Sequence, residues 1–372
     1  MREALMTQII DADTHIAEPP QMWEHLDPDF YDRRPVLIQI PGDTVYGHFN
    51  AMWLIDGKIV PKAAGRASNI LVTPTLQDFV QKNLDVTSRD MTDMDLRYSH
   101  MDFMGTDVQV IYPTLFLAWL TDDPTLEAAL AQAYNRHLGG ISDRSEGRIR
   151  WALVPPLRDI DATIREMHFG AEHGAVGLFF RGIEKDLMLD DPYFFPVYEE
   201  AQSLGLTICV HQGQGAPALN NLVDIRRSSS FTHGRLPPLS AFRNLVANRI
   251  PEEFPRLRFG FIETGASWVP FVFHCLRTLS TEEPWRWGPR LFEQYNMWVS
   301  YEVDEDLPYL VDYIGEDHIV VGTDYGHHGR EGVIADPSAQ LHMVKTLRSR
   351  EEYPSALVDK LLSDNPRALY GI

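Results

Sequence analysis

The sequence predicts a (β/α)8 TIM barrel of the α/β class, on three observations. Short apolar runs rich in Val, Ile, Leu and Phe recur along the chain without alternating, as strands buried on both faces do. Segments of helical spacing separate these runs, and eight such βα units in one chain fit a closed barrel. No glycine-rich phosphate loop follows the first run: Asp11-Ala12-Asp13-Thr14-His15 stands where a doubly wound dinucleotide fold would carry G-x-G-x-x-G. With 372 residues, 44% of them hydrophobic, the chain can bury one large core, read as a single domain over 1–372.

The first strand spans 9–16 and stops at Pro19-Pro20. Residues 21–75 show no periodicity and form a first insertion, with a hairpin around 46–59 turning at Asp56-Gly57. Such an excursion either walls a site or merely shields the barrel edge. A helical pattern over 78–103 ends at Gly105, and 108–113 is a strand. The helix over 124–138 has Gly139-Gly140 as its stop signal. Strand 149–155, helix 160–173, strand 175–181, helix 192–204 and strand 206–211 follow. A second insertion occupies about 212–238. Helix 239–249, strand 257–263, helix 268–279, strand 297–301, helix 307–314 and strand 319–324 complete the barrel pattern, with helices over 337–348 and 355–362 behind it.

A net charge of −20 argues against nucleic acid and anionic membrane as partners. It leaves an anionic small molecule open, because a metal or one arginine can reverse the field inside a cleft. The two cysteines, Cys209 and Cys275, lie in apolar segments and read as buried thiols, which suits a reducing cytoplasm. The first residues contain no apolar signal segment, and no run approaches a membrane span, so a cytoplasmic protein is expected.

In a barrel, functional groups gather at the C-terminal ends of the strands. Here the first strand ends in Asp13 and His15, which share a face because strand residues two apart point the same way. Glu18 lies just beyond. The later strands end in Tyr112, Arg181, His211, Glu263, Tyr301-Glu302 and Asp324, the last followed by His327-His328. Each alone reads as a polar cap on a loop. Together, Asp13, His15, His211 and Asp324 supply the nitrogen and oxygen donors that zinc, manganese and iron take. Arg181 could grip a substrate carboxylate through its planar fork, or form a rim salt bridge. His233 in the second insertion and Glu302 are further candidates for substrate or a second metal. Trp53, Tyr112 and Trp119 could line an apolar pocket, with core packing as the plainer reading.

Asp13-x-His15, then His211, then Gly322-Thr323-Asp324-Tyr325, resembles the amidohydrolase-related family of aminocarboxymuconate-semialdehyde and resorcylate-type decarboxylases. The closing Asp364-Asn365-Pro366-Arg367-Ala368-Leu369-Tyr370 is similar to that family's final helix. The resemblance covers nearly the whole chain. It implies a barrel holding one divalent metal, zinc or manganese, with Asp13, His15, His211 and Asp324 as ligands. Where the family usually places a catalytic histidine, this chain has Glu263, which is expected to act as general acid or base, helped by His327 or His328, or equally as a metal ligand.

The function expected is hydrolysis or non-oxidative decarboxylation of a small carboxylic acid. Two alternatives stand beside it. Glu18, Glu263, Glu302, His233, His327 and His328 could complete a dinuclear non-haem iron site that hydroxylates an aliphatic substrate, or the chain could be a non-catalytic, metal-bearing subunit paired with a paralogue. A homo-oligomer or a complex with a paralogous subunit is expected.

Overall fold

The computed structural model describes residues 8–45, 51–62, 65–68, 86–222, 230–279, 287–326 and 342–372. Eight parallel strands form one sheet in sequence order. They are β1 (Ile10–Ile16), β2 (Val108–Pro113), β3 (Ile149–Leu153), β4 (Ala175–Phe180), β5 (Thr207–His211), β6 (Phe259–Ile262), β7 (Met297–Ser300) and β8 (Ile319–Val320). Every residue of β2 and β4 through β8 is buried, as the continuous apolar runs require. The last strand is two residues long, yet the ring closes beyond it. Ala12 N donates to Val321 O at 3.2 Å, Asp324 N to Asp13 O at 2.9 Å, and His15 N to Tyr325 O at 2.7 Å. The chain is therefore a (β/α)8 barrel.

Gly322 makes that closure feasible. A Cβ there would lie 2.4 Å from Asp13 Cβ, so only glycine lets the strand after β7 press against β1. Aspartates start several of the intervening helices. Asp93, Asp123, Asp159 and Asp306 each accept a first-turn N–H, which accounts for part of the acidic composition.

Helix Pro124–Asp143 runs straight through Gly139-Gly140 and corrects the stop expected there. Gly139 serves packing instead: a Cβ would stand 3.0 Å from Phe169 Cζ and 3.1 Å from His173 Cβ on the neighbouring helix. Helix Leu236–Ala247 starts earlier than expected, because Pro237 and Pro238 occupy its first turn, where their missing N–H groups cost nothing. The pattern over 78–103 resolves into helices Val86–Arg89 and Met94–Met104, capped by Gly105 in the left-handed region at φ 76°; residues 78–85 lie outside the described residues. Of the expected helix 337–348, the described part is Met343–Ser349.

The first insertion contains the expected hairpin, Ala51–Ile55 against Lys58–Val60. Asp56 (φ 47°) and Gly57 (φ 74°) make its two-residue turn, both in the left-handed region that such turns demand. A third strand, Val36–Gln39, pairs with it and escaped the sequence reading. Trp53 points inward and packs edge-on against Trp23 at 5.9 Å, so it belongs to the core. Both cysteines are free thiols; Cys209 is buried, whereas Cys275 is half-buried. Among the described residues no helix is long and apolar enough to cross a membrane.

Candidate metal centre

Four strand ends bring the donors together. On β1, Asp13 and His15 project to one side, as the two-residue period dictates. His211 ends β5, Glu263 follows β6, and Asp324 lies four residues after β8. Asp13, His15, His211 and Glu263 each offer one ligand atom, and these four atoms lie within 4.8 Å of one another. His15 Nε2 stands 3.6 Å from Asp13 Oδ1, 3.5 Å from Glu263 Oε2 and 3.4 Å from Asp324 Oδ1. His211 Nε2 stands 3.6 Å from Asp13 Oδ1 and 3.1 Å from Glu263 Oε2. Donors held about 2.1 Å from one shared ion in a tetrahedral array lie roughly 3.4 Å apart. The observed separations of 3.1–3.6 Å lie close to that spacing.

The imidazoles are set to offer the correct nitrogen. His15 Nδ1 lies 3.1 Å from the Pro113 carbonyl and His211 Nδ1 lies 2.9 Å from the Gln212 carbonyl. Each Nδ1 donates its proton to a backbone oxygen, which leaves Nε2 as the lone-pair atom facing the cluster. The Tyr112 ring stacks on His211 at 5.0 Å, and Phe179 packs against it at 5.8 Å. The Tyr112 hydroxyl pairs with that of Tyr370 at 2.8 Å, and Tyr370 donates to the Ala12 carbonyl, so the floor of the site is tied to the last helix.

Electrostatics favour a cation in this place. Asp13 Oδ1, His211 Nε2 and Glu263 Oε2 are buried and make no hydrogen bond among the described residues. Burial pushes the Glu263 carboxyl well above its ordinary range, with Asp324 adding to the effect. Burial likewise raises Asp324, with Asp13 and Asp11 behind it. Burial pulls the His211 imidazole down, but Asp13 and Glu263 outweigh it and hold it above its ordinary value. Three buried carboxylates around two imidazoles are destabilising unless protonated or matched by positive charge, which is what a divalent ion supplies. The donor set fits such an ion.

Glu263 (φ 53°) and Asp324 (φ 51°) both adopt left-handed backbone, which disfavours residues with a Cβ. At each, the chain turns sharply at the strand end and throws the carboxylate inward. The distances do not separate the roles expected of the two, since Glu263, read as acid or base, stands at ligand distance like the others.

The remaining candidates disperse. Glu18 is buried with both oxygens taken by the N–H groups of Thr114 and Leu115, each at 2.9 Å, so it anchors the loop after β2. Arg181 spends its fork on Glu184 three residues on, at 3.0 Å and 2.5 Å, and its other terminal nitrogen faces the Phe116 and Ala118 carbonyls. It forms the salt bridge rather than the substrate clamp. The Trp119 ring lies 5.0 Å from the guanidinium groups of both Arg181 and Arg158. Glu302 pairs with Arg235 at 2.6 Å. His233 falls in the wide helical turn Ser230–Arg235, with its side chain outside the described residues, as are His327 and His328 altogether. With Glu18 and Glu302 engaged elsewhere, no second cluster forms among the described residues, and the dinuclear iron reading gains no support.

Two neighbours of the cluster escaped the sequence reading. Gln212 donates from Nε2 to Glu263 Oε1, and Arg235 donates to the Glu263 carbonyl at 3.3 Å. Beneath β1, Asp11 accepts from Thr323 N and Oγ1 at 2.8 Å and 2.6 Å, locking the Gly-Thr-Asp segment to the first strand. The only signal in the sequence for Gln212 was its place directly after His211.

A 2-amino-3-carboxymuconate-6-semialdehyde decarboxylase from Dictyostelium discoideum is 23% identical over 300 residues, 75% of this chain and 77% of that protein. Among solved structures, an amidohydrolase from Mycobacterium avium subsp. paratuberculosis K-10 superposes with a TM-score of 0.73 at 21% identity, covering 99% of both chains. A 5-carboxyvanillate decarboxylase from Novosphingobium aromaticivorans DSM 12444, solved with manganese and 4-hydroxy-3-methoxy-5-nitrobenzoic acid, superposes with a TM-score of 0.65 at 13% identity, covering 99% of this chain and 97% of that one. These structural likenesses speak for the fold. The amidohydrolase family profile matches residues 10–372, from β1 to the last residue, and this chain belongs to that family.

Proposed function

We propose that the chain is a divalent-metal-dependent carboxy-lyase that removes CO2 from a small, planar carboxylic acid without oxidation. The observation that carries this reading is the set of 3.1–3.6 Å separations among Asp13, His15, His211, Glu263 and Asp324. Asp13, His15, His211 and Glu263 hold the ion, and Asp324 is the carboxyl that carries the proton. This exchanges the parts that the sequence suggested for Glu263 and Asp324. Glu263 is fixed at Oε1 by Gln212 and at its carbonyl by Arg235, which suits a ligand better than a proton carrier.

A bound zinc or manganese ion supplies a Lewis acid for the substrate oxygens. The carbon–carbon bond to the carboxylate breaks, its electron pair stays on the substrate carbon, and CO2 leaves. Asp324, whose carboxyl burial pushes well above its ordinary range, delivers its proton to that carbon. The rings of Tyr112 and Phe179 behind His211 keep that side of the site dry. Decarboxylases among the relatives, one of them solved with manganese, support this reading.

Hydrolysis is the second reading. The Asp324 side chain is 12% exposed, which leaves room for a water that the same carboxyl, once it has given up its proton, could deprotonate. Metal-loaded protein incubated with aromatic and dienoic carboxylic acids should release CO2 and take one solvent deuteron into the product at the vacated carbon. Cleavage of amides or lactones with no CO2 release would favour hydrolysis instead. Activity that survives complete metal removal would end both.

A further inference from the structure

Glu263 is held at two points, its side chain by Gln212 and its backbone by Arg235. Its left-handed backbone, φ 53°, turns the carbonyl outward, where Arg235 donates to it at 3.3 Å. Its Oε1 accepts from Gln212 Nε2, so Oε2 is the oxygen left to stand 3.1 Å from His211 Nε2. Gln212 in turn is seated by Gly234, where a Cβ would come 2.8 Å from Gln212 Oε1.

We propose that Gln212, seated by Gly234 and assisted by Arg235, is a positioning residue that preorganises two of the four metal donors at once. Its backbone carbonyl accepts from His211 Nδ1 at 2.9 Å and fixes that ring, while its side-chain amide fixes the Glu263 carboxylate. The charges suit the task. The amide is neutral, so it orients Glu263 without cancelling the negative charge that attracts the ion. Arg235 is the cation nearest Glu263 among its described hydrogen-bond partners, and it spends its charge on Glu302 at 2.6 Å while touching only the backbone of Glu263. A lysine or arginine in place of Gln212 would pair with the ligand carboxylate and compete with the metal. A glutamate has one more rotatable bond than a histidine, so it has more freedom to lose on binding and more to gain from being held.

The inference rests on the ligand set proposed above, and metal binding tests it without recourse to turnover. Metal-free protein is titrated with Co2+, following heat and visible absorption. Gln212→Met keeps the side-chain length and removes the donor. It should weaken Co2+ binding about 10–100-fold, as loss of an outer-shell partner does, and change the absorption band of the bound ion. Gly234→Ala, which pushes on the Gln212 amide, should move affinity in the same direction and covers the case in which the first variant misfolds. A merely structural role would lower the unfolding temperature of the metal-free variants and leave affinity and spectrum as they are. Wild-type protein that binds Co2+, together with variants that bind it equally well and with the same spectrum, overturns the clamp alone. Wild-type protein that takes up no Co2+ overturns the ligand set, and the clamp with it.

Discussion

Residue by residue, the centre is a set of carboxylates kept where carboxylates are costly. Asp324 has burial and the charges of Asp13 and Asp11 acting to keep its proton on, and a carboxyl in that condition is a better acid than ligand. Asp324→Asn should therefore retain the ion and lose about 10²–10⁴-fold in turnover, the usual contribution of a positioned acid. Metal analysis beside a CO2-release assay reads both quantities, and loss of metal in that variant would return Asp324 to the ligand set. The sequence disclosed these donors because each is a charged or imidazole group at the end of an apolar run. It did not disclose what Arg181 does. The Glu184 that takes its guanidinium lies in a two-residue strand, Ile183–Glu184, paired with Leu187–Met188, too short to register as periodicity. Gln212 was equally hidden, since a glutamine carries no ligand signal and its partner Glu263 is 51 residues away.

Among elements, the barrel strands were legible because burial on both faces writes itself into composition. Helix ends and insertions were less so, because glycine and proline carry two meanings. Gly139-Gly140 reads as a stop by local rules, yet contact with Phe169 is the reason glycine stands there. Glu18 gives another case of a residue whose purpose is set by tertiary contact. It ties the segment after β1 to the loop after β2, and burial pushes its carboxyl from 4.5 up to about 8, against the N–H groups that favour its charge. The folded chain then binds the Glu18 proton more tightly than the unfolded chain. This contribution to stability is whole below pH 4.5 and is lost as pH rises towards 8. Compared with Glu18→Gln, which has no proton to lose, metal-free wild type should drop in unfolding temperature between those limits. Thermal scans of both proteins across that range give the answer; parallel curves would mean that Glu18 is charged throughout and paired well enough by Thr114 and Leu115.

For the whole molecule, the barrel gathers Asp13, Glu263 and Asp324 from positions far apart in the chain, and rigid strands hold these carboxylates, which repel one another when ionised, beside the His15 and His211 imidazoles. The fold carries this repulsion as an internal strain that a divalent ion relieves. Ion binding to the folded chain alone adds stability by mass action, about 2.7 kcal/mol when free metal stands at 100 times its dissociation constant. A chelator should accordingly lower the unfolding temperature of the wild type. The same logic gives a sharper outcome for Asp324→Asn. Above the raised titration range of Asp324, where its carboxyl has lost its proton, removing that charge from the group that includes Asp11, Asp13 and Glu302 relieves repulsion that nothing balances when metal is absent. Stripped of metal and in that alkaline range, Asp324→Asn should unfold at a higher temperature than stripped wild type, while its gain on adding metal should be smaller. Calorimetric scans with and without zinc or manganese compare the four states. If stripped Asp324→Asn proves no more stable than stripped wild type, the carboxylates are already neutral in the metal-free fold, and the attraction for the ion must come from the imidazoles and geometry rather than from stored charge.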